Sequence, residues 1–372
     1  MHIVLWGTYD TGKPRVRILT EGLRSSGVTI TECHASIWQD VEDKSQVNGI
    51  ANKAILLIRW LLSYPALVYR YMRAPKHDAV MVSYMGHLDV LILWPFAKLR
   101  GTPIIWDAFL SLYNTVVQDR HMLGRWNPAA QLLYAWEWLA CRAADKIILD
   151  TQQHADYFIH QYSLEKDKVY SVFVGAEPDH FYPVPSNRPD KYKQDVSVLF
   201  YGQFIPLHGI DVIVNTANIL REHNIRWQLI GQGQEADKIS DMINQLPALN
   251  LTWTPWVKYE EINSIINKAD VCLGIFGATE KARMVIPNKV FQIVSAGAPL
   301  ITMDSPAIRE LVNCDCNLIT LVPENNPEAL AGAVLEMTSS QRGREHNVCC
   351  KELMKRISPT FIGKQLMGII LD

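Results

Sequence analysis

Three observations predict an α/β fold built from two units. Short apolar runs of the buried-strand type alternate with helical runs along most of the 372 residues, as expected for parallel sheets covered by helices. The alternation breaks at Val174–Tyr192, where four prolines and little periodicity mark a linker. It then resumes to the end of the chain. A chain this long can hold two cores, and a composition of 48% hydrophobic and 20% charged residues is that of an ordinary globular protein.

In the first half the strand-like runs are His2–Trp6, Val28–Cys33, Ala79–Ser83, Pro103–Trp106, Lys146–Leu149 and Lys168–Phe173. Each is short and largely apolar, which favours a buried strand over a helix. Helical patterns lie between them at Arg15–Ser25, Leu88–Leu99 and Pro128–Ala144. After the linker come strands Val196–Tyr201, Arg226–Ile230, Leu251–Trp253, Asp270–Ile275 and Asn317–Leu321. Helices alternate with them at Ile210–His223, Glu235–Leu246, Tyr259–Lys268, Asn288–Ser295 and Pro327–Thr338, and Pro359–Leu371 reads as a last apolar helix. The expected organisation is a first domain over 1–180, a second over 190–356, and a terminal helix, 357–372, crossing back to the first. Two such units imply a cleft, with ligands at the carboxyl ends of strands.

The net charge of −2 gives no global attraction to nucleic acid. Seven scattered cysteines lack a disulfide spacing, and MHIVLWG opens directly into a strand without a signal-peptide pattern; a reducing cytoplasm is expected. Cys314–Asp315–Cys316 and Cys349–Cys350 lack further ligands at zinc-like spacing, so no metal site is expected. The segment 53–76 is apolar but interrupted by Arg59 and Pro65, which argues against a membrane span. Two readings stay open for it. One is a helix in a membrane interface, with Trp60, Leu61, Leu62, Tyr64 and Tyr71 toward lipid and Arg59, Arg70, Arg73 and Lys76 toward phosphates. The other is a crossover helix packed on a sheet.

Four loops follow strands. GTYDTGKPRVR (Gly7–Arg17) offers Gly12 and the cations Lys13, Arg15 and Arg17 near a helix start, but it is not a GxGxxG fingerprint. GQFIPLHG (Gly202–Gly209) and IGQG (Ile230–Gly233) allow close backbone approach to a ligand. The richest is Gly274–Glu310, where Lys281, Arg283, Asn288, Lys289 and Gln292 cluster around a helix start, an arrangement that favours phosphates. In the first half, His87 of SYMGHLD, Asp107 at a strand end, and Asp119 with Arg120 are the polar groups placed to meet a second substrate. Asp107 also reads as a helix cap, and Asp119–Arg120 as a surface pair.

Taken together these segments resemble retaining glycosyltransferases of family 4, which have the GT-B architecture of two Rossmann-like domains facing across a cleft. FVGAEPDHFYP looks like the family's "NGVD...F.P" crossover, GQFIPLHG like "GR....KG", IGQG like "GxG", and NKVFQIVSAGAPLIT like "KxxEAMAxGxPVI". The similarity covers nearly the whole chain and is firmest from Val174 to Leu311. It implies transfer of a sugar from a nucleotide diphosphate sugar, held by the second domain, to a saccharide or lipid-linked acceptor held by the first, without a metal or other cofactor. The family's loop Arg and Lys correspond to Gln203 and His208, and its two glutamates to Met284 and Gln292. Cations that stabilise a departing diphosphate are therefore fewer than in the family. Arg283 and Lys289, with Lys281, are expected to supply that charge, and Asp107 to orient the acceptor hydroxyl. Gly12, Gly202, Gln203, His208, Gly231, Gly233, Glu280, Lys281, Asn288 and Gln292 are expected around the donor, and His87, Asp119 and Arg120 around the acceptor. The expected setting is the cytoplasm, at the inner face of the plasma membrane if 53–76 contacts lipid. Two alternatives are a donor-binding protein without transfer activity and a GT-B nucleotide-sugar epimerase.

Overall fold

The structure is a computed structural model, and it describes residues 1–37, 50–184, 196–246, 249–312, 317–339 and 348–372. The linker residues 185–192, Cys314, Cys316 and the side chains of Cys349 and Cys350 lie outside this description. The chain divides into two compact units, Met1–Gly175 with Pro359–Asp372, and Ala176–Ser358.

In the first unit six parallel strands form one sheet: β1 (His2–Gly7), β2 (Thr29–His34), β3 (Ala79–Val82), β4 (Ile104–Phe109), β5 (Lys146–Leu149) and β6 (Val169–Ser171). Their order is β2-β1-β3-β4-β5-β6. The connecting helices are α1 (Pro14–Ser25), α2 (Ile50–Arg73), α3 (His87–Arg100), α4 (Pro128–Ala143) and α5 (Gln152–Tyr162). Strands β3 and β4 are buried along nearly their whole length, as a parallel sheet covered on both faces requires.

The second unit repeats the plan with β7 (Val196–Tyr201), β8 (Ile225–Ile230), β9 (Leu251–Thr254), β10 (Val271–Leu273), β11 (Leu300–Met303) and β12 (Ile319–Val322). Its helices are α6 (Ile210–Ile219), α7 (Ala236–Gln245), α8 (Tyr259–Lys268), α9 (Glu280–Met284), α10 (Asn288–Ser295), α11 (Pro306–Leu311), α12 (Pro327–Ser339) and α13 (Val348–Arg356). The sheet, again parallel, runs β9-β8-β7-β10-β11-β12. Strand order reverses between β7 and β10, so this is where an open α/β sheet leaves a crevice for a ligand. In the first sheet the corresponding reversal lies between β1 and β3.

The final helix, α14 (Pro359–Leu371), packs on α1 within the first unit. Glycines make the approach possible. A Cβ on Gly363 would lie 1.9 Å from the Gly22 carbonyl oxygen, and one on Gly22 would lie 2.3 Å from the Pro359 carbonyl oxygen.

Helix α2 continues through Pro65. Its inward stripe is Tyr64, Leu67 and Tyr71, with Trp60 partly covered, all packed against the sheet core. Of the two readings left open for 53–76, the crossover helix packed on a sheet describes Trp60, Tyr64 and Tyr71: these rings belong to the protein's own core. The opposite stripe, Ile55, Ile58, Leu62, Tyr69 and Met72, is exposed, with Leu62 at 71%, and Arg59, Arg70 and Arg73 are exposed beside it. Among the described residues, no helix is long and apolar enough to cross a membrane.

Candidate functional site

At the crevice of the second sheet, β7 ends in Tyr201 and turns at Gly202, which has φ +141°. A Cβ there would meet the Lys289 Nζ at 2.9 Å and the His208 Cε1 at 3.3 Å. The missing side chain is what lets the lysine and the imidazole converge on this turn. Gly231, at the end of β8 with φ +145°, comes still closer: its Cβ would lie 1.8 Å from the Gly202 carbonyl oxygen. The Trp253 indole donates to the Gly231 carbonyl at 2.8 Å and stacks on Phe204 at 5.1 Å, which fixes these loops together. Gly233 packs on the Phe204 backbone.

Lys289 lies in the first turn of α10, whose N-cap is Pro287. Its Nζ rests 3.7 Å over the Phe200 ring and 3.4 Å from the Gly274 carbonyl. Gly202 follows β7 and Gly274 follows β10, so the ammonium spans the point where strand order reverses. Burial pushes its pKa well below the ordinary lysine value, and among the described residues no carboxylate pairs with it. A buried cation without a counter-charge is costly. An entering phosphate would supply that charge and gain a charge-assisted hydrogen bond, with the positive end of α10 close by.

Around this group the expected residues are arranged unevenly. His208 is buried, and its ring is held by the Gln203 carbonyl; the Gln203 side chain is exposed. Gln292, one turn after Lys289, is buried and accepts from the Tyr201 hydroxyl at 2.9 Å. Asn288 is half-buried at the first position of α10, Lys281 is buried in α9, and Glu280 is exposed. Arg283 does not stand ready for a phosphate: its guanidinium already holds Glu324 in a bidentate ion pair. The pair is solvent-exposed, so a phosphate reaching Arg283 would compete with Glu324 for the guanidinium.

The first sheet treats its own crevice differently. The Asp89 carboxylate sits against Gly7, where a Cβ would lie 2.5 Å from Oδ2. It accepts from the Thr8 amide at 3.0 Å and the Tyr64 hydroxyl at 2.7 Å, while Trp60 donates to the Thr8 hydroxyl at 2.9 Å. An internal carboxylate thus occupies the place an anionic ligand takes in such a sheet. Gly12 lies further along the same loop as an exposed turn glycine, its amide donating to the Asp10 carboxylate at 2.9 Å.

Further expectations meet buried partners. Asp107 is fully buried and paired with Arg15 at 2.7 Å; the same guanidinium also donates to the Val172 carbonyl at 2.6 Å. Burial pushes the Asp107 carboxyl up against the opposing charge and hydrogen bonds of Arg15. Each is spent on the other, so Arg15 is not a surface cation and Asp107 is not open to a substrate hydroxyl. His87 is likewise buried, its Nε2 3.0 Å from Glu137. Glu137 also accepts from the Ser111 and Tyr162 hydroxyls at 2.8 and 2.6 Å and from the Leu112 and Tyr113 amides, both at 3.1 Å. Burial alone would raise its pKa, but the hydrogen bond and charge of His87, then Tyr162 and Ser111, carry it below the ordinary value. His87 is therefore tied into an internal network through Nε2, while its buried Nδ1 has no hydrogen-bond partner among the described residues. Asp119 is buried at the end of a π-helical turn, Asn114–Asp119, and Arg120 is half-buried, so they are not the surface pair allowed for above.

Tyr84 and Phe109 stand outside the set of expected residues. They follow β3 and end β4, with rings in edge contact at 5.1 Å. The Tyr84 phenol is pushed up to about 12 by burial and by the charge of Asp10, with Arg120 opposing. Met85 and Phe109 have φ of 65° and 60° without being glycine, a strained backbone often found at functional strand ends. Nothing in the residue types at 85 and 109 signals that conformation.

Residues 195–340 match the family described as "Glycosyl transferases group 1". The chain is 23% identical over 282 residues to the chitobiosyldiphosphodolichol beta-mannosyltransferase of Candida albicans, a match covering 70% of this chain and 60% of that protein. The first two curated relatives are matched over only 65% and 60% of their lengths. Among solved structures, sucrose-phosphate synthase of Thermosynechococcus elongatus superposes with a TM-score of 0.69 at 15% identity, covering 99% of this chain and 98% of that one. Anabaena HepE, solved with UDP, gives 0.68 at 12% identity, covering 100% and 99%. The whole chain thus has the α/β architecture of GT-B glycosyltransferases, and its segment 195–340 carries the sequence features of group 1 glycosyl transferases.

Proposed function

We propose that the chain is a retaining glycosyltransferase that moves a sugar from a nucleotide diphosphate sugar to a saccharide or lipid-linked acceptor. The observation that carries this reading is the buried Nζ of Lys289 beside Gly202 at the strand-order reversal. Solved structures of the HepE neighbour with UDP and with UDP-glucose are consistent with a nucleotide-sugar donor. In this reading the bond between the sugar's anomeric carbon and the β-phosphate oxygen breaks, and the acceptor oxygen bonds to that carbon from the same face. The acceptor proton passes to the leaving diphosphate. Lys289 and His208 meet the charge that develops on the phosphates, and no metal is required.

The acceptor side belongs to the first unit. The name of the Candida relative describes a lipid-linked saccharide, and the outer face of α2 combines exposed Ile55, Ile58, Leu62, Tyr69 and Met72 with Arg59, Arg70 and Arg73. Such a face suits the anionic surface of a bilayer, and a cytoplasmic protein docked there would meet a lipid-linked acceptor. Incubation with a panel of nucleotide diphosphate sugars and acceptors, followed by product anomer assignment by NMR, tests the reaction. An inverted anomer rules out retention, and donor binding without transfer or hydrolysis supports the binding-only alternative. Co-sedimentation with phosphatidylglycerol vesicles tests the surface: Ile58→Glu/Leu62→Glu should abolish it, and unchanged sedimentation removes α2 from this role.

A further inference from the structure

Gln292 sits between two tyrosines. Tyr201, the last residue of β7, donates its hydroxyl to the Gln292 Oε1 at 2.9 Å. On the other side the Gln292 Nε2 lies 3.4 Å from the Tyr259 hydroxyl, which in turn lies 2.6 Å from the Glu177 Oε2. Tyr259 opens α8, and its ring meets Phe181 edge-on at 5.5 Å, so α8, α10 and the segment after Ala176 are tied within one unit.

With Glu177 ionised, one direction of these bonds follows. An ionised carboxylate only accepts, and a phenol has one hydrogen. Tyr259 therefore gives its hydrogen to Glu177 and accepts from the Gln292 Nε2. With Nε2 turned to Tyr259, Oε1 must face Tyr201, as observed. A glutamate at position 292 would set two carboxylates against the single hydrogen of Tyr259.

We infer that Glu177 and Tyr259 are positioning residues for Gln292, holding its amide in one orientation beside the Lys289 turn through a chain that accommodates a single carboxylate. The inference rests on the donor reading above. An amide retains a second hydrogen and a second lone pair, and in this chain they are offered to the donor in a fixed order. It also explains how position 292 can carry an amide: the carboxylate of the cluster stands at 177.

A charge-swap cycle tests it, read by calorimetric binding of UDP, GDP and ADP and by thermal unfolding. Gln292→Glu and Glu177→Gln should each weaken the best-bound nucleotide roughly tenfold. The double variant reverses the chain: an amide at position 177 donates to Tyr259, and Tyr259 donates to a carboxylate at position 292. Its affinity should recover to within about threefold of wild type. It should also melt above both single variants. Tyr259→Phe, which keeps the ring, should lose about tenfold in affinity and resist rescue by the swap. Additive losses in the double variant, or Tyr259→Phe within about twofold of wild type, overturn the inference. If wild type binds no nucleoside diphosphate while the double variant still outmelts both singles, the donor reading falls and the hydrogen-bond chain stands.

Discussion

Replacing Lys289 by methionine removes a buried ammonium and leaves a flexible apolar chain of similar length, suited to the face of Phe200. In the wild type, burial holds the Lys289 pKa well below that of an exposed lysine. The unfolded chain then binds this proton more tightly than the folded one. Stability rises with pH between the folded value and about 10.4, by up to about 1.4 kcal/mol per pH unit, and the full penalty persists below that window. Methionine carries no such penalty. Lys289→Met is therefore expected to be at least as stable as wild type at pH 7, with the difference shrinking as pH approaches 10. Binding should move the other way, because removing one partner of a buried charge pair costs about 2–5 kcal/mol, roughly 30-fold or more in nucleoside diphosphate affinity. Urea unfolding at several pH values and calorimetric titration measure the two effects. A variant that is destabilised at pH 7 yet binds normally would refute the reasoning.

Asp107→Asn leaves the Arg15 guanidinium buried without its counter-charge, at 1% exposure, and should cost about 3–5 kcal/mol in denaturant unfolding; a change under about 1 kcal/mol would remove the pair from the core account. Glu137→Gln turns one acceptor oxygen into a donor facing other donors and should cost about 3 kcal/mol. The Glu137 pKa is depressed in the fold, so its stabilisation is present above about 4.3 and lost as pH falls through the folded value. The variant should lack that part of the acid limb, and an unchanged acid transition would contradict it. Gly231→Ala forces a Cβ to within 1.8 Å of the Gly202 carbonyl oxygen and should lower both melting temperature and nucleotide affinity, the latter about tenfold; wild-type affinity would show that the turn can relax.

Much of the fold is legible in the chain because its central strands are buried on both faces. Lys146–Leu149 and Val196–Tyr201 have the same limits in sequence and structure. Helix α5 is not among the expected helices: its buried stripe, His154, Ala155, Phe158 and Tyr162, includes a histidine and an alanine and so lacks a run of large apolar residues. Helix α9 is five residues long, below the reach of a periodic signal. At the site, the glycine turns at 202 and 231 and the lysine at 289 could be read because loop and helix-start chemistry is local. The fates of Asp107, His87 and Arg283 could not, since each depends on a partner far away in the chain: Arg15, Glu137 and Glu324. A polar residue at a strand end looks the same in sequence whether it faces a ligand or closes a buried ion pair. The tyrosine frame around Gln292 is hidden for the same reason.

The most direct test of the central claim is thermal unfolding of wild type and Lys289→Met with nucleoside diphosphates and their sugar conjugates. At a concentration about 100 times Kd, a ligand bound only to the fold adds about 2.7 kcal/mol, which for a unit of this size is a rise of roughly 5–10 °C. The expected result is such a rise in wild type with at least one nucleoside diphosphate and little or none in Lys289→Met. No rise with any of them, or an equal rise in both proteins, would contradict the assignment of the Gly202–Lys289 turn as the phosphate site.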